Sequence, residues 1–277
     1  MKKNGWSRGG IVMAVYAALL FAFLYLPVLV LVVYSCNGEG VAGFPPHNFT
    51  LHWYGLLFQD DAIWRAVGNS IVVALASVLI GLALGIPAAL ALDRTSFPGK
   101  GAFRRLVLLP LVLPGIITGL SLLMLFREVD VKLSLATVIL GHGTALISVA
   151  TTEVFASLQR LERAQEEASL DLGANYWQTF WRITFPHMRL SIIAAALLIF
   201  TLSIDEIAVT FFLIGRENTL PLEIWGRLRR GITPEINAVS TIIFVFSLLA
   251  ILAWYRLRLA GKGESSAEPL QAAEPLP

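Results

Sequence analysis

The sequence predicts an all-α integral membrane protein. Its 277 residues are 56% hydrophobic and only 14% charged, and the mean hydropathy is +0.72. Ordinary soluble domains carry about a quarter charged residues. A membrane-spanning helix needs about 20 mostly apolar residues, and six runs meet that length: 11–34, 67–92, 104–126, 133–158, 190–214 and 237–258. The net charge of +2 says little about partners. The lone Cys36 excludes an intrachain disulfide and offers no metal cluster.

The first run follows Lys2, Lys3 and Arg8, as a signal peptide would. Its apolar stretch is much longer than the ~7–15 residues of a signal core, and no A-x-A site follows it, so a retained anchor is expected. An even number of spans places both termini on one side. With the N-terminus inside, fourteen of the 21 basic residues are cytoplasmic, among them Arg94, Lys100, Arg104, Arg105, Arg160, Arg163 and Lys262. Arg65, Arg127, Lys132, Arg216, Arg227, Arg229 and Arg230 then lie outside. The bias predicts N-in, C-in topology. Four of the outside cations fall in loop 215–236, which is expected to fold against the protein. The organisation is thus a cytoplasmic N-terminus (1–10), a transmembrane domain (11–262) and a tail (263–277). That tail, GESSAEPLQAAEPLP, has no apolar period and is expected to be disordered.

Between the first two spans, residues 51–64 read as a short helix lying along the outer face, with Trp53, Tyr54 and Trp64 suited to the headgroup belt. In the second span, Gly81 and Gly85 stand at the spacing of close helix contact. The third span carries Pro110, Pro114, Gly115 and Gly119, which weaken its backbone ladder and place it inside the bundle. In the fourth, His142 is expected to hydrogen-bond a neighbouring helix rather than hold a metal.

A polar segment, 159–189, interrupts the apolar pattern. Its first half, Leu161 to Leu172, has helical period, and Gly173 closes that helix in a left-handed turn. Asn175 with Gln178 opens a second helix as a capping box, which Pro186 is expected to stop. Glu167, Ala168, Gly173, Ile183 and Pro186 fall in the order and spacing E-A-A-x3-G-x9-I-x-L-P, with Ser169 and Phe185 as departures. The chain thereby resembles the membrane subunits of bacterial ABC importers, whose EAA loop docks into a cleft of the ATPase subunit. The resemblance implies an ATPase-coupling role for those five residues and a type I importer permease fold, with the loop in the cytoplasm.

Asp205 and Glu206 lie in the fifth run, where each intramembrane acid costs roughly 2.5–3.5 kcal/mol on insertion scales. On a continuous helix Thr201 and Asp205 share one face while Glu206 takes another, so at least one acid is expected to look into the bundle. Acids on a path favour a cationic solute. The runs TLSIDE, NTLPLEIW and TPEINAVST resemble the permeases of spermidine/putrescine importers of the PotC type. That likeness implies a polyamine path through Asp205, Glu206, Thr201 and Trp225. Permeases for ferric iron, thiamine or aminoethylphosphonate share the EAA loop and keep other solutes open.

The implied partners are a second homologous permease, a dimer of ATP-binding subunits and an extracytoplasmic binding protein, with membrane lipid around the bundle and no nucleic acid. No phosphate loop, nucleophile elbow or zinc spacing occurs. The chain is therefore read as a non-catalytic subunit without its own cofactor, ATP and Mg belonging to the ATPase. A secondary carrier or channel would need no docking loop. A membrane enzyme would need more convergent polar residues than His142, Asp205 and Glu206. The implied location is the bacterial inner membrane.

Overall fold

The computed structural model describes residues 8–38, 48–231 and 233–264. In order, the elements are α1 (Arg8–Tyr34), α2 (His52–Phe58), α3 (Asp61–Arg94), α4 (Lys100–Val112), α5 (Gly115–Glu128), α6 (Leu135–Leu158), α7 (Arg163–Asp171) and α8 (Tyr176–Thr179). A π-helical stretch (Phe180–Thr184) follows, then α9 (Phe185–Ile204), α10 (Ala208–Leu213), α11 (Leu220–Arg230) and α12 (Pro234–Glu264). Among the described residues no strand forms; an isolated antiparallel bridge joins Asn37 and Phe49. Of the predicted N-terminal segment 1–10, residues 1–7 lie outside the described residues, as do 265–277 of the tail.

The chain divides into two compact units. The first contains α1, α2 and α12. α1 is apolar on every face and its large side chains stay uncovered, as suits a helix surrounded by lipid. α2 is shorter than the predicted 51–64, because the chain turns at Gln59 and Asp60 before α3 begins. Trp53 and Tyr54 turn their polar edges to the end of α1. Trp53 Nε1 donates to the Asn37 carbonyl at 2.8 Å, and Tyr54 Oη shares a 2.6 Å hydrogen bond with Ser35 Oγ. Asp60 pairs with Arg227 at 2.6 Å.

The second unit, Asp61–Gly226, is built on α3, α6 and α9. Glycines let these helices approach closely: a Cβ at Gly85 would stand 2.5 Å from the Ala150 Cβ, and one at Gly81 would stand 2.9 Å from Ile199. Around these contacts lie buried Val73, Ala89, Val138, Val154, Met188 and Ile199. The basic loop after α10 is indeed folded back. Asn69 Nδ2 donates to the Asn218 carbonyl at 2.9 Å, and Leu220 N donates to Ser70 Oγ at 2.8 Å.

Two predicted spans are not continuous. The run 104–126 is broken at Leu113–Pro114, where α4 and α5 meet at 109°. The residue before a proline is pushed out of the helical region, and Leu113 is extended at φ −73°, ψ 133°. The run 190–214 ends as a helix at Ile204, and α10 is a separate piece. Four described helices are long and apolar enough to cross a membrane, or five with the bent pair taken as one span. Among the described residues the apolar part of α12, Pro234–Leu249, falls below that length, so the six predicted spans are not all recovered.

Candidate functional site

Two places bring the predicted site residues together. The first is the polar segment between α6 and α9. α7 ends in a Schellman turn: Ala174 N donates to the Ser169 carbonyl at 3.1 Å, Gly173 N donates to the Leu170 carbonyl at 2.9 Å, and Gly173 takes φ +89°. A side chain there would cost backbone strain. The capping box follows at once, with Gln178 N donating to Asn175 Oδ1 and Asn175 N donating to Gln178 Oε1, both at 2.9 Å.

Pro186 does not stop the second helix. It stands in the first turn of α9, and the chain runs helically from Tyr176 to Ile204. Proline lacks the N–H that the carbonyl four residues earlier needs. The backbone widens instead into the π stretch, where Phe185 N donates to the Phe180 carbonyl.

Of the five motif residues, Glu167, Ala168, Gly173 and Pro186 are exposed and Ile183 is half-buried. The neighbouring Glu166 faces the other way, with Oε1 accepting from Arg94 at 2.8 Å and from Thr184 Oγ1 at 2.5 Å. Ser169, a departure from the motif, shares a 3.0 Å hydrogen bond with Thr179. The outward side carries apolar groups that the sequence reading missed: Leu172 is 89% exposed, Tyr176 82% and Trp177 68%. Trp177, Phe180, Trp181 and Phe185 form a cluster of ring contacts 4.8–6.3 Å apart. The available signal was four aromatics at 176, 177, 180 and 181 within a polar segment, a spacing that gathers them on one helical side. The turn thus presents apolar rings outward from a polar segment.

The second place is the break after α9. Asp205 is the exposed C-terminal cap of α9, its N–H donating to the Thr201 carbonyl at 3.3 Å. Glu206 turns into the protein and caps α10, Oε1 accepting from Val209 N at 2.9 Å. The two acids are therefore not two faces of one helix, as predicted, but stand at two different helix ends. Thr201 is one turn below Asp205, its hydroxyl spent on the Leu197 carbonyl at 2.8 Å. Trp225 stands on α11, and among the described residues no hydrogen bond, ion pair or ring contact joins it to Asp205, Glu206 or Thr201.

His142 holds this break from α6. Thr210 Oγ1 donates to the Glu206 carbonyl at 2.8 Å, so its oxygen is left to accept from His142 Nε2–H at 2.9 Å. Nδ1 then accepts from Ser203 Oγ at 2.8 Å. One buried side chain thus joins the last turn of α9 to α10, in agreement with the predicted inter-helix role. The break also meets the other one: a Cβ at Gly115, the first residue of α5, would lie 3.3 Å from both Glu206 Oε1 and the Ala208 Cβ. At Gly119 it would lie 3.1 Å from the Val209 Cα.

The family described as "Binding-protein-dependent transport system inner membrane component" matches residues 81–259. The chain is 36% identical over 251 residues to the putrescine transport system permease protein PotI of Escherichia coli (strain K12), covering 87% of this chain and 89% of the relative. It is 32% identical over 247 residues to the spermidine/putrescine transport system permease protein PotC of the same strain, covering 89% and 91%. Among solved structures, it is similar to a bacterial ABC transporter that imports the acidic polysaccharide alginate. The TM-score is 0.67 at 18% identity, over 93% of this chain and 99% of that one. A second structure of the alginate transporter, in complex with a pentasaccharide-bound periplasmic protein, gives a TM-score of 0.65 at 18% identity over 91% and 96%. The fold is that of a type I ABC importer permease.

The His142 bridge makes a direct prediction. In His142→Phe two buried hydroxyls lose a partner, at about 1–3 kcal/mol for each that finds no substitute. The thermal midpoint of the detergent-purified protein should fall by several degrees, and His142→Gln, which keeps a donor and an acceptor, should recover part of it. An unchanged midpoint in the Phe variant would show that the bridge contributes nothing.

Proposed function

The chain belongs to the family of binding-protein-dependent transport system inner membrane components, and from that premise we propose that it is the permease subunit of an ATP-driven importer of polyamines. It supplies half of a translocation path, the other half coming from a second, homologous permease. ATP and Mg are bound and consumed by a separate ATPase dimer, and an extracytoplasmic binding protein delivers the solute. This chain then carries no catalytic residues.

The observation that carries the coupling assignment is the docking loop. Its Schellman turn and capping box fix a sharp corner, and its exposed aromatics give a partner's cleft something to grip. A secondary carrier has no use for such a surface. The motif residues Glu167, Ala168, Gly173, Ile183 and Pro186 share this segment, which the positive-inside bias places in the cytoplasm together with both termini.

Polyamine is favoured by the named substrates of the relatives and by the electrostatics of the α9 break. A helix C-terminus already carries roughly half a negative charge. Asp205 adds a full carboxylate at that end, an arrangement that repels itself until a cation arrives. Glu206 sits at the opposite kind of end, a helix N-terminus, where its charge is satisfied. Asp205 is thus the path residue. Thr201, one turn below it, and Trp225, through cation–π contact with an ammonium group, are proposed as further path residues.

In proteoliposomes or cells expressing the complete complex, Asp205→Asn should lower uptake of labelled putrescine or spermidine by about tenfold, whereas Glu206→Gln, which keeps an acceptor for Val209 N, should be mild. Wild-type polyamine uptake by Asp205→Asn would remove the cation argument. Gly173→Asp should leave the chain in the membrane while the ATPase no longer co-purifies and uptake stops, because the turn is strained and charged at its tip. Retained co-purification and uptake would show that the loop does not couple. For the topology, reporters fused after Lys262 should be active only if they function in the cytoplasm, and reporters within 38–50 only if they function outside. The reverse pattern would place the loop on the wrong side for ATP.

A further inference from the structure

We propose that Arg94 and Glu166 are positioning residues, a strut that fixes the coupling loop to the membrane helices so that movement of one is movement of the other. The proposal rests on the reading above that this loop meets an ATPase.

α3 ends in Asp93 and Arg94. The Arg94 guanidinium hydrogen-bonds Glu166 Oε1 through an Nη at 2.8 Å, and its Nε lies at an ion-pair distance of 3.2 Å from Asp93 Oδ2, a buried oxygen that accepts no hydrogen bond among the described residues. Glu166 Oε1 also accepts from Thr184, the last residue of the π stretch. Asp93 Oδ1 accepts from Gln159 Nε2, just past the end of α6, and the Asp93 carbonyl accepts from an Arg163 Nη at 3.1 Å. Side-chain exposure is 3% for Asp93, 16% for Glu166 and 23% for Arg94. The end of α3, the end of α6, α7 and the entry to α9 therefore meet at one largely covered polar knot.

Burying charge is no guarantee of stability, since desolvation offsets much of the attraction. What such a knot provides is position. Glu166 Oε1 is held from two sides, by the Arg94 guanidinium of α3 and by the Thr184 hydroxyl at the entry to α9, so α7 has one favourable place relative to both. The Ser169–Thr179 hydrogen bond ties the two arms of the loop together, and Thr184 leads without a helical break into α9, whose far end is Asp205. A displacement at the docking face would then be carried by α3 and α9 together rather than absorbed by a flexible loop. The motif glutamate Glu167 points outward and takes no part in this knot; the strut depends on its neighbour.

The test uses the assembled complex with its ATPase and binding protein. Glu166→Gln and Arg94→Lys should still co-purify with the ATPase and keep basal ATP hydrolysis within about twofold, while solute moved per ATP falls by about tenfold. Amide hydrogen exchange over 163–179 should quicken by about tenfold as local opening becomes easier. Lys is not expected to rescue, because one ammonium cannot reach Glu166 and keep the Asp93 ion pair with two separate nitrogens. Thr184→Val, which removes one hydroxyl at nearly constant volume, should quicken exchange in the same direction by less, and it decides the matter if the charge variants fail to assemble. Wild-type exchange in the variants that assemble would overturn the strut. Faster exchange with unchanged transport per ATP would reduce it to local structure and equally overturn the positioning role. If the wild-type complex moves no polyamine, the substrate reading fails on its own and the strut is judged by exchange. If no ATPase binds the chain, the coupling reading fails, and unchanged exchange in the variants would sink the strut as well.

Discussion

A backbone amide in hydrocarbon has no water to turn to, so each interruption of a membrane helix must be closed by other protein groups. The break after α9 shows how this is done. The Glu206 carbonyl accepts from Thr210 Oγ1, Val209 N donates to Glu206 Oε1, and Phe211 N donates to the Ile207 carbonyl. At the other end of α10 the Leu213 carbonyl accepts from Thr137 Oγ1 at 2.7 Å. The break before α5 is closed more simply, with Ile117 N and Thr118 N both donating to the Pro114 carbonyl. Each irregular segment is packed against the other through Gly115 and Gly119.

The same requirement gives several small buried hydroxyls in this unit a partner. Ser70 accepts from Leu220 N, Thr137 contacts the Ser134 backbone and the Leu213 carbonyl, Ser203 bonds His142, and Thr210 bonds both His142 and the Glu206 carbonyl. α3, α6 and α9 meet through glycine and alanine instead, where dispersion over a close approach supplies the adhesion that lipid does not oppose. Close packing has a mechanical consequence, because interiors at this density shift as units rather than deforming smoothly.

Features set by local chemistry were legible in the sequence. Gly173 had to be the left-handed residue, and Asn175 with Gln178 had to be a cap, because both motifs are complete within a few residues. The membrane class was legible from composition, the contact of α3 from the spacing of Gly81 and Gly85, and the bond from His142 to a neighbouring element from the rarity of an unpaired imidazole in a span. Features set by distant partners were not. Nothing near Ile204 breaks helices by propensity; the interruption is held by His142, which is 61 residues from Ser203. Pro186 was read as a stop because proline removes a helical hydrogen bond, but a π stretch accommodates the same loss without ending the helix. Glu166 and Glu167 were indistinguishable by type, and only the place of Arg94 at the end of α3 decides which of them turns inward.

Asp205 and Glu206 make the same point about charge. They are adjacent, carry the same group and sit at similar depth, yet the break gives one the negative end of α9 and the other the positive end of α10. Glu206 has its attraction already, from Val209 N and the helix end behind it. Asp205 has repulsion from its own helix and stands exposed, which is the basis on which it is proposed above to meet a cation. An unbroken helix would have left the pair alike. The interruption makes them different, which gives the polar groups that hold it open a use beyond satisfying the backbone.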